Sequence, residues 1–222
     1  VTGGAGFIGS HLCEALVRQG ADVTVVDDLS TGDVSNLHAI AAEIDFRQLD
    51  MLSSEFLDLV AGGQFDVIFH LAGNSYVPPS VKWPDRDFGL NLQGPFQILE
   101  ALRCNAPNTR LITASTASVY GNPAVVPVPE TAPTVPIAPY GVSKLAAERY
   151  VLVYSLLYGI KAASLRFFSV FGPRQKKQLV YDFFQKLHRD PARLEIIGDG
   201  TQIRDLVYVT DVVQALLLVN DH

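Results

Sequence analysis

Four glycines within the first nine residues, in Thr2-Gly3-Gly4-Ala5-Gly6-Phe7-Ile8-Gly9, constrain this chain more than any other stretch. They run straight into residues 7–18, where Phe7, Ile8, Leu12, Ala15 and Leu16 make the apolar stripe of an amphipathic helix that Gly20 stops. Read from Gly4, the run is GxGxxG through Gly6 and Gly9. Read from Gly3, it places glycines at 3, 6 and 9. Either way, backbone amides without side chains crowd a helix N-terminus, where free N–H groups and the helix dipole suit a pyrophosphate.

The segment that follows strengthens this reading. Val23-Thr24-Val25-Val26 is a β-branched run suited to a buried parallel strand, and it ends in Asp27, 18 residues beyond Gly9 (27 − 9 = 18). A carboxylate there can accept both hydroxyls of an adenosine ribose and would repel a 2′-phosphate, so the expected dinucleotide is NAD rather than NADP. A capping role suits the neighbouring Asp28 better.

Strands and helices continue to alternate. Strands are expected at 44–49, 66–71, 110–114, 162–167, 194–197 and 206–209, and helices at 55–61, 85–104, 140–158, 180–189 and 211–219. Six prolines between Pro123 and Pro139 mark 121–139 as an extended loop that could close over a site, and Pro139 suits the first turn of the helix after it. The alternation predicts an α/β fold, a doubly wound parallel sheet covered on both faces, with right-handed crossovers. Residues 1–170 form the expected dinucleotide-binding domain, 171–205 part of a smaller substrate region, and 206–222 a strand and helix that return to the first domain. Val1 leaves almost none of the strand that should precede the glycines, so the sequence is expected to be cut there, and little of a second domain follows its end.

Composition narrows the function classes. The 222 residues are 48% hydrophobic with a formal net charge of −6, which argues for a globular small-molecule protein and against nucleic acid as the main partner. Cys13 and Cys104 have no metal-ligand spacing, no run approaches a membrane span, and the start lacks the basic region of a signal peptide. No metal, no membrane and a cytoplasmic setting are therefore expected.

The chemistry points to Tyr140-Gly141-Val142-Ser143-Lys144. On a helix, Tyr140 and Lys144 share a face one turn apart, which can put an ammonium near a phenol. A tyrosine acting as a base near neutrality needs its pKa lowered by roughly three units, about 4 kcal/mol, and positive charge can supply that. The spacing alone also occurs in helices that do no chemistry. Asp50, after the strand at 44–49, could contact adenine or cap the turn at Ser53. His70, at the end of a buried strand, reads as a satisfied core histidine, and packing suffices for Tyr76, Trp83 and Tyr154.

In order along the chain, TGGAGFIGS with Asp27, HLAG at 70–73, Asn91, STASVYG at 115–121, the Tyr140/Lys144 pair, RFFSVFGPRQ from Arg166 and GDGTQIRDLVYVTDV from Gly198 resemble the extended short-chain dehydrogenases. The nucleotide-sugar epimerases and dehydratases, especially UDP-glucose 4-epimerase-like proteins, are the nearest group. The resemblance spans essentially the whole chain and implies a Rossmann-like domain. It also implies that Tyr140 takes a proton from a sugar hydroxyl as hydride passes to NAD, that Lys144 holds the nicotinamide ribose and lowers the phenol pKa, and that Thr116 bonds the same hydroxyl. Cofactor contacts are implied at Gly3, Gly6, Phe7, Ile8, Gly9, Asp27, Asp50, Met51, Leu71, Ala72, Gly73 and Phe167, besides Tyr140 and Lys144.

For the nucleotide sugar, expected to be a UDP-sugar, the resemblance implies contacts at Thr116, Tyr140, Ser169 and Arg204. Ser169 stands where the family usually has asparagine. Arg204 stands where the family grips a diphosphate, a task that suits a guanidinium, with a surface arginine paired with Asp205 as the lesser alternative. Where 4,6-dehydratases carry an acidic pair after the threonine, this chain has Ala117 and Ser118, which favours a 4-epimerase working through a transient 4-keto sugar. A dehydratase, reductase or decarboxylase of the same family, or a catalytically silent NAD-binding regulator, is the alternative. Relatives dimerise through the helices near 85–104 and 140–158, so a homodimer is expected.

Overall fold

The structure, a computed structural model, describes residues 1–62, 64–196 and 198–221. Five strands and the stub at Thr2 build one parallel sheet. β1 (Val23–Val26) pairs with β2 (Ile44–Arg47), and β4 (Arg110–Thr116) lies between β3 (Val67–His70) and β5 (Ala162–Phe167). Thr2 bridges Val26 on one side and His70 on the other, so the order is β2-β1-stub-β3-β4-β5. Chain direction reverses its spread across the sheet beside the stub, and in doubly wound folds that crevice at the carboxyl ends of the strands receives the ligand.

Helices cover both faces. On one, α1 (Phe7–Arg18) and α8 (Val209–Asp221) pack Leu12, Leu16, Val212 and Leu216 against Val25, Phe69 and Ile112. On the other, α2 (Ser54–Ala61), α5 (Gly94–Asn105) and α6 (Pro139–Tyr158) bring Phe56, Ile98, Leu102, Val151 and Tyr154 onto Ile68 and Leu111. Two cores separated by one sheet explain why the central strands read as continuous apolar runs. The expected ends of α1 agree with the structure, and α6 begins at Pro139 and ends at Tyr158, where the N–H of the following Gly159 donates to Ser155 O at 3.1 Å.

Other segments differ from the sequence reading. The single helix expected at 85–104 is three pieces: α4 (Pro84–Phe88), a wide π turn at Gly89–Gln93, and α5, preceded by a short α3 (Val77–Lys82). Gly89 and Gly94 flank the wide turn, and one extra residue per turn is invisible to a 3.6-residue period. A 3₁₀ helix at Val34–Ile40, capped by Asp33, fills a stretch without a periodic signal. The strand expected at 194–197 is not formed at 194–196, and Ile197 lies outside the described residues. A three-residue strand, β6 (Ser169–Phe171), pairs in parallel with β7 (Leu206–Tyr208). Between them α7 (Leu179–Arg189) buries none of its residues.

Candidate active site

Gly3 adopts φ +68°, and a side chain there would strike the backbone of Ala72 at 2.7 Å, so the glycine run lies against the end of β3 and against Leu71-Ala72. At Gly9 a Cβ would come within 2.1 Å of Gly3 O, which lets α1 begin directly above the turn. Gly6 caps α1 without any side-chain hydrogen bond, and the first turn holds no acid, so the dipole at this helix end is left uncompensated and suits an anionic ligand. Phe7 and Ile8, both half-buried, follow in that turn. Met51 is buried, and its methyl packs where a Cβ on Gly94 would sit.

Asp27 closes the cradle. It is buried, one carboxylate oxygen accepts from Ala5 N at 3.0 Å, and the other accepts from Leu29 N at 2.9 Å. Burial pushes its pKa up, the two amide hydrogen bonds oppose that rise, and the charge of Asp28 adds to it. Each oxygen keeps a second lone pair for a ribose hydroxyl. Asp28 caps the turn at Ser30 instead, at 2.9 Å. Asp50 is exposed, with its side chain on Leu52 N at 2.9 Å and its carbonyl accepting from Ser53 Oγ at 2.7 Å, the capping alternative.

Across the crevice, Tyr140 and Lys144 lie on the buried face of α6, each 8% exposed. Gly141 brings this helix close: a Cβ there would meet Ser118 O at 2.7 Å, so only glycine lets the first turn of α6 rest on the 3₁₀ turn Ala117–Tyr120 after β4. That contact sets Tyr140 beside Thr116 at the end of β4. The Thr116 hydroxyl caps the turn, accepting from Ser118 N at 3.2 Å, and it also lies close enough to the phenol to favour its ionisation. The capping and positioning roles weighed for Thr116 are thus compatible. Ser80, fully buried on α3, fixes the other side of the helix start: its Oγ accepts from Tyr140 N at 3.1 Å and donates to Val77 O at 2.7 Å.

The electrostatics of the pair depart from the sequence expectation. Burial raises the Tyr140 pKa, hydrogen bonding from Thr116 opposes the rise, and the charge of Asp87 adds to it. The phenol of the chain by itself therefore sits above its ordinary value. Lys144 instead donates its ammonium to Ala114 O at 3.0 Å, and burial pulls its pKa down to about 8, against the raising effect of Asp87. Nearby, His70 is held down to about 3, first by burial and then by the Lys144 charge, so its ring is neutral. Its Nδ1 shares a 2.8 Å hydrogen bond with Thr2 Oγ1, while Nε2 has no partner among the described residues, so there it is a core histidine only half satisfied.

One turn beyond Lys144, Glu148 occupies the same face and was missed in the sequence, although its i, i+4 spacing was a usable signal. It accepts from Ser115 Oγ at 2.5 Å and forms a two-pronged pair with Arg166, at 2.8 Å from Nη2. Arg166 Nη1 in turn donates to Tyr120 OH at 2.8 Å and to Glu130 O at 3.2 Å, tying the proline-rich loop to the sheet. Phe167 and Ser169 follow at the carboxyl end of β5 and the start of β6. Arg204 is not brought to this cluster: it is exposed and donates to Ile203 O at 2.9 Å, with no ion pair to Asp205 among the described residues.

A parallel sheet in this order, a side-chain-free cradle at the first helix, and a buried Tyr/Lys pair facing it define a dinucleotide-dependent enzyme of the short-chain dehydrogenase type. The chain belongs to the NAD dependent epimerase/dehydratase family, which it matches over residues 1–222, and NAD is its cofactor. It is 36% identical to the putative UDP-glucose 4-epimerase of Methanocaldococcus jannaschii, over 98% of this chain and 72% of that protein. The crystal structure of UDP-glucose 4-epimerase with UDP-glucose from Thermotoga maritima superposes with a TM-score of 0.90 at 37% identity, covering 98% of this chain and 71% of that one. The UDP-glucuronic acid 4-epimerase of Bacillus cereus, in complex with UDP-glucuronic acid and NAD, gives 0.89 at 31% identity, over 100% and 72% of the two chains. Among the described residues, no helix is long and apolar enough to cross a membrane, and no group of three or more His, Cys, Asp or Glu could hold a metal.

Proposed function

We propose that this protein is a nucleotide-sugar 4-epimerase acting on a UDP-sugar, with Tyr140 as its base. The observation that carries the reading is the juxtaposition of the Tyr140 phenol with the Thr116 hydroxyl at one edge of the crevice, facing the glycine cradle, with Ala117 and Ser118 next in sequence. The cradle suits NAD because Gly3, Gly6 and Gly9 leave room where side chains would intrude and Asp27 keeps acceptor capacity for a ribose. When bound, NAD supplies the hydride acceptor and a positively charged ring.

The chain's own residues hold the sugar and move its proton. Thr116 orients the C4 hydroxyl and Tyr140 takes the hydroxyl proton, while Lys144, one turn along the same helix face, is pinned to Ala114 O. After the 4-keto sugar has turned over, the hydride that the cofactor would hold goes back to the opposite face of C4 and Tyr140 returns the proton to the C4 oxygen, which yields the other epimer. Elimination would need an acid at 117 or 118, and alanine and serine cannot serve. Ser169 and Arg204, both at the amino end of the parallel β6–β7 pairing, would meet the nucleotide diphosphate, with 171–205 as the substrate region. Loop 121–138, anchored through Glu130 O, would cover the site.

The test is incubation with UDP-glucose, UDP-galactose and their N-acetyl and uronic acid counterparts. Interconversion of one 4-epimer pair with no net formation of NADH is expected. A protein that binds NAD yet interconverts no pair across such a panel would refute the reading.

A further inference from the structure

We infer that residues 172–178, the link from β6 to α7, form a latch across the cofactor cradle that is closed by the ion pair of Lys176 with Asp33, and that this pair holds back the release of NAD. The inference rests on NAD as the cofactor and on no step of the epimerisation. The link is fastened at two places. Arg174 Nη1 donates to Ser10 Oγ at 3.1 Å, Arg174 Nη2 pairs with Glu14, and His11 Nε2 donates to Pro173 O at 3.1 Å, so one end is tied to the first two turns of α1. Two residues on, Lys176 Nζ reaches Asp33 Oδ2 at 2.6 Å. These anchors belong to the two walls of the cradle: α1 carries the helix end that suits the pyrophosphate, and Asp33 closes the loop that begins at Asp27. That loop is joined to the cradle itself. A Cβ on Gly32 would lie 2.6 Å from Asp27 Oδ1, and Asp33 N at 3.0 Å and Asn36 Nδ2 at 2.9 Å both donate to the carbonyl of Ala5, the residue whose N–H holds Asp27.

The backbone of the link is strained. Arg174 and Gln178 hold φ at +70° and +75°, where side chains crowd the main chain, and Gly172 at +150° lies so close to Val209 that a Cβ would come within 2.7 Å of it. Gln175, whose amide donates to Val170 O at 2.9 Å, holds the bend from within. Such conformations persist only where their contacts over-determine them, and they gather at ligand clamps. The two fastenings also differ in kind. The Arg174 contacts to α1 are partly buried, whereas Lys176 and Asp33 meet in solvent, where an ion pair contributes little and opens readily. One end of the link is thus fixed and the other can open, and the end that opens is the one on the ribose side of the cradle.

The test is the rate at which NAD leaves. The whole protein, loaded with fluorescent etheno-NAD, is mixed with excess NAD, and release is followed by stopped-flow fluorescence at low and at high sodium chloride. Lys176→Met should speed release roughly twofold to fivefold at low salt, the range an exposed ion pair allows. Salt should speed release from the wild type by screening the pair and should have little effect on the variant. Asp33→Asn, which keeps the side-chain oxygen that caps Ser35 N, should match Lys176→Met, and the two changes together should be no faster than either alone. Lys176→Arg, which keeps the charge, should stay near the wild-type rate. Release unchanged in Lys176→Met would overturn the inference. So would effects of the two substitutions that multiply, or an Asp33→Asn variant as slow as the wild type, since either would mean that Lys176 acts on the dinucleotide without Asp33. The measurement needs no sugar, so failure to epimerise any nucleotide sugar would sink the proposed function and leave this result standing.

Discussion

Lys144 is where burial and chemistry meet most sharply. Its folded pKa, about 8, lies below the ordinary lysine value of 10.5, so the folded chain favours the neutral amine. By linkage, the buried ammonium costs stability at every pH below about 8, and that cost fades as pH rises toward 10.5. Lys144→Met should therefore raise the Tm at pH 6.5, measured by calorimetry, while abolishing turnover. For the same reason a rate that depends on the ammonium should be full below pH 8 and fall as pH rises through it, so a wild-type profile flat to pH 10 would contradict this role. Tyr140→Phe removes only the phenol oxygen and should lower kcat by about 10²- to 10⁴-fold while leaving NAD binding by calorimetry intact. At this scale the sequence was informative about which residues matter and silent about their charge state. The shared face of Tyr140 and Lys144 followed from spacing, but the direction of the phenol shift is set first by burial in the fold, which the Thr116 hydrogen bond opposes and the Asp87 charge reinforces.

At the level of elements, the glycine run and α6 carry the site. Gly9→Ala would drive a methyl group into Gly3 O, at 2.1 Å, and should cost about 1–3 kcal/mol as an over-packed position. The expected outcome is a Tm lowered by several degrees together with weakened NAD binding, and a variant that binds NAD as tightly as wild type would show that the cradle is not needed in this form. Helix α1 was legible to the residue because a strong apolar period meets glycines at both ends. The π turn was not, because its extra residue per turn falls outside a 3.6-residue apolar period. Strand β6 was hidden for a similar reason: three residues after exposed Phe168 have too little pattern of their own, and only pairing with β7, some 35 residues on (206 − 171 = 35), defines them.

Across the whole molecule, the second face of α6 stands out. Val142, Leu152, Val153, Leu156 and Leu157 are exposed there, Leu156 by 75% and Leu157 by 68%, with Tyr150 and Tyr158 beside them. An apolar run of this kind on a helix whose other face is already packed suits an interaction surface, and the homodimer expected from the sequence would cover it. Leu156→Arg should shift the protein toward monomer in light scattering at micromolar concentration, and a wild type that is monomeric throughout would argue against that assembly.

The central claim is a reversible oxidation at C4 in which carbon loses hydride and Tyr140 takes only the hydroxyl proton. A UDP-sugar carrying deuterium at C4, incubated with enzyme in ordinary water, tests it directly. Proton and carbon NMR of the products should show both epimers with deuterium still on C4. Loss of that deuterium to solvent would mean that carbon is deprotonated rather than oxidised, and would contradict the account.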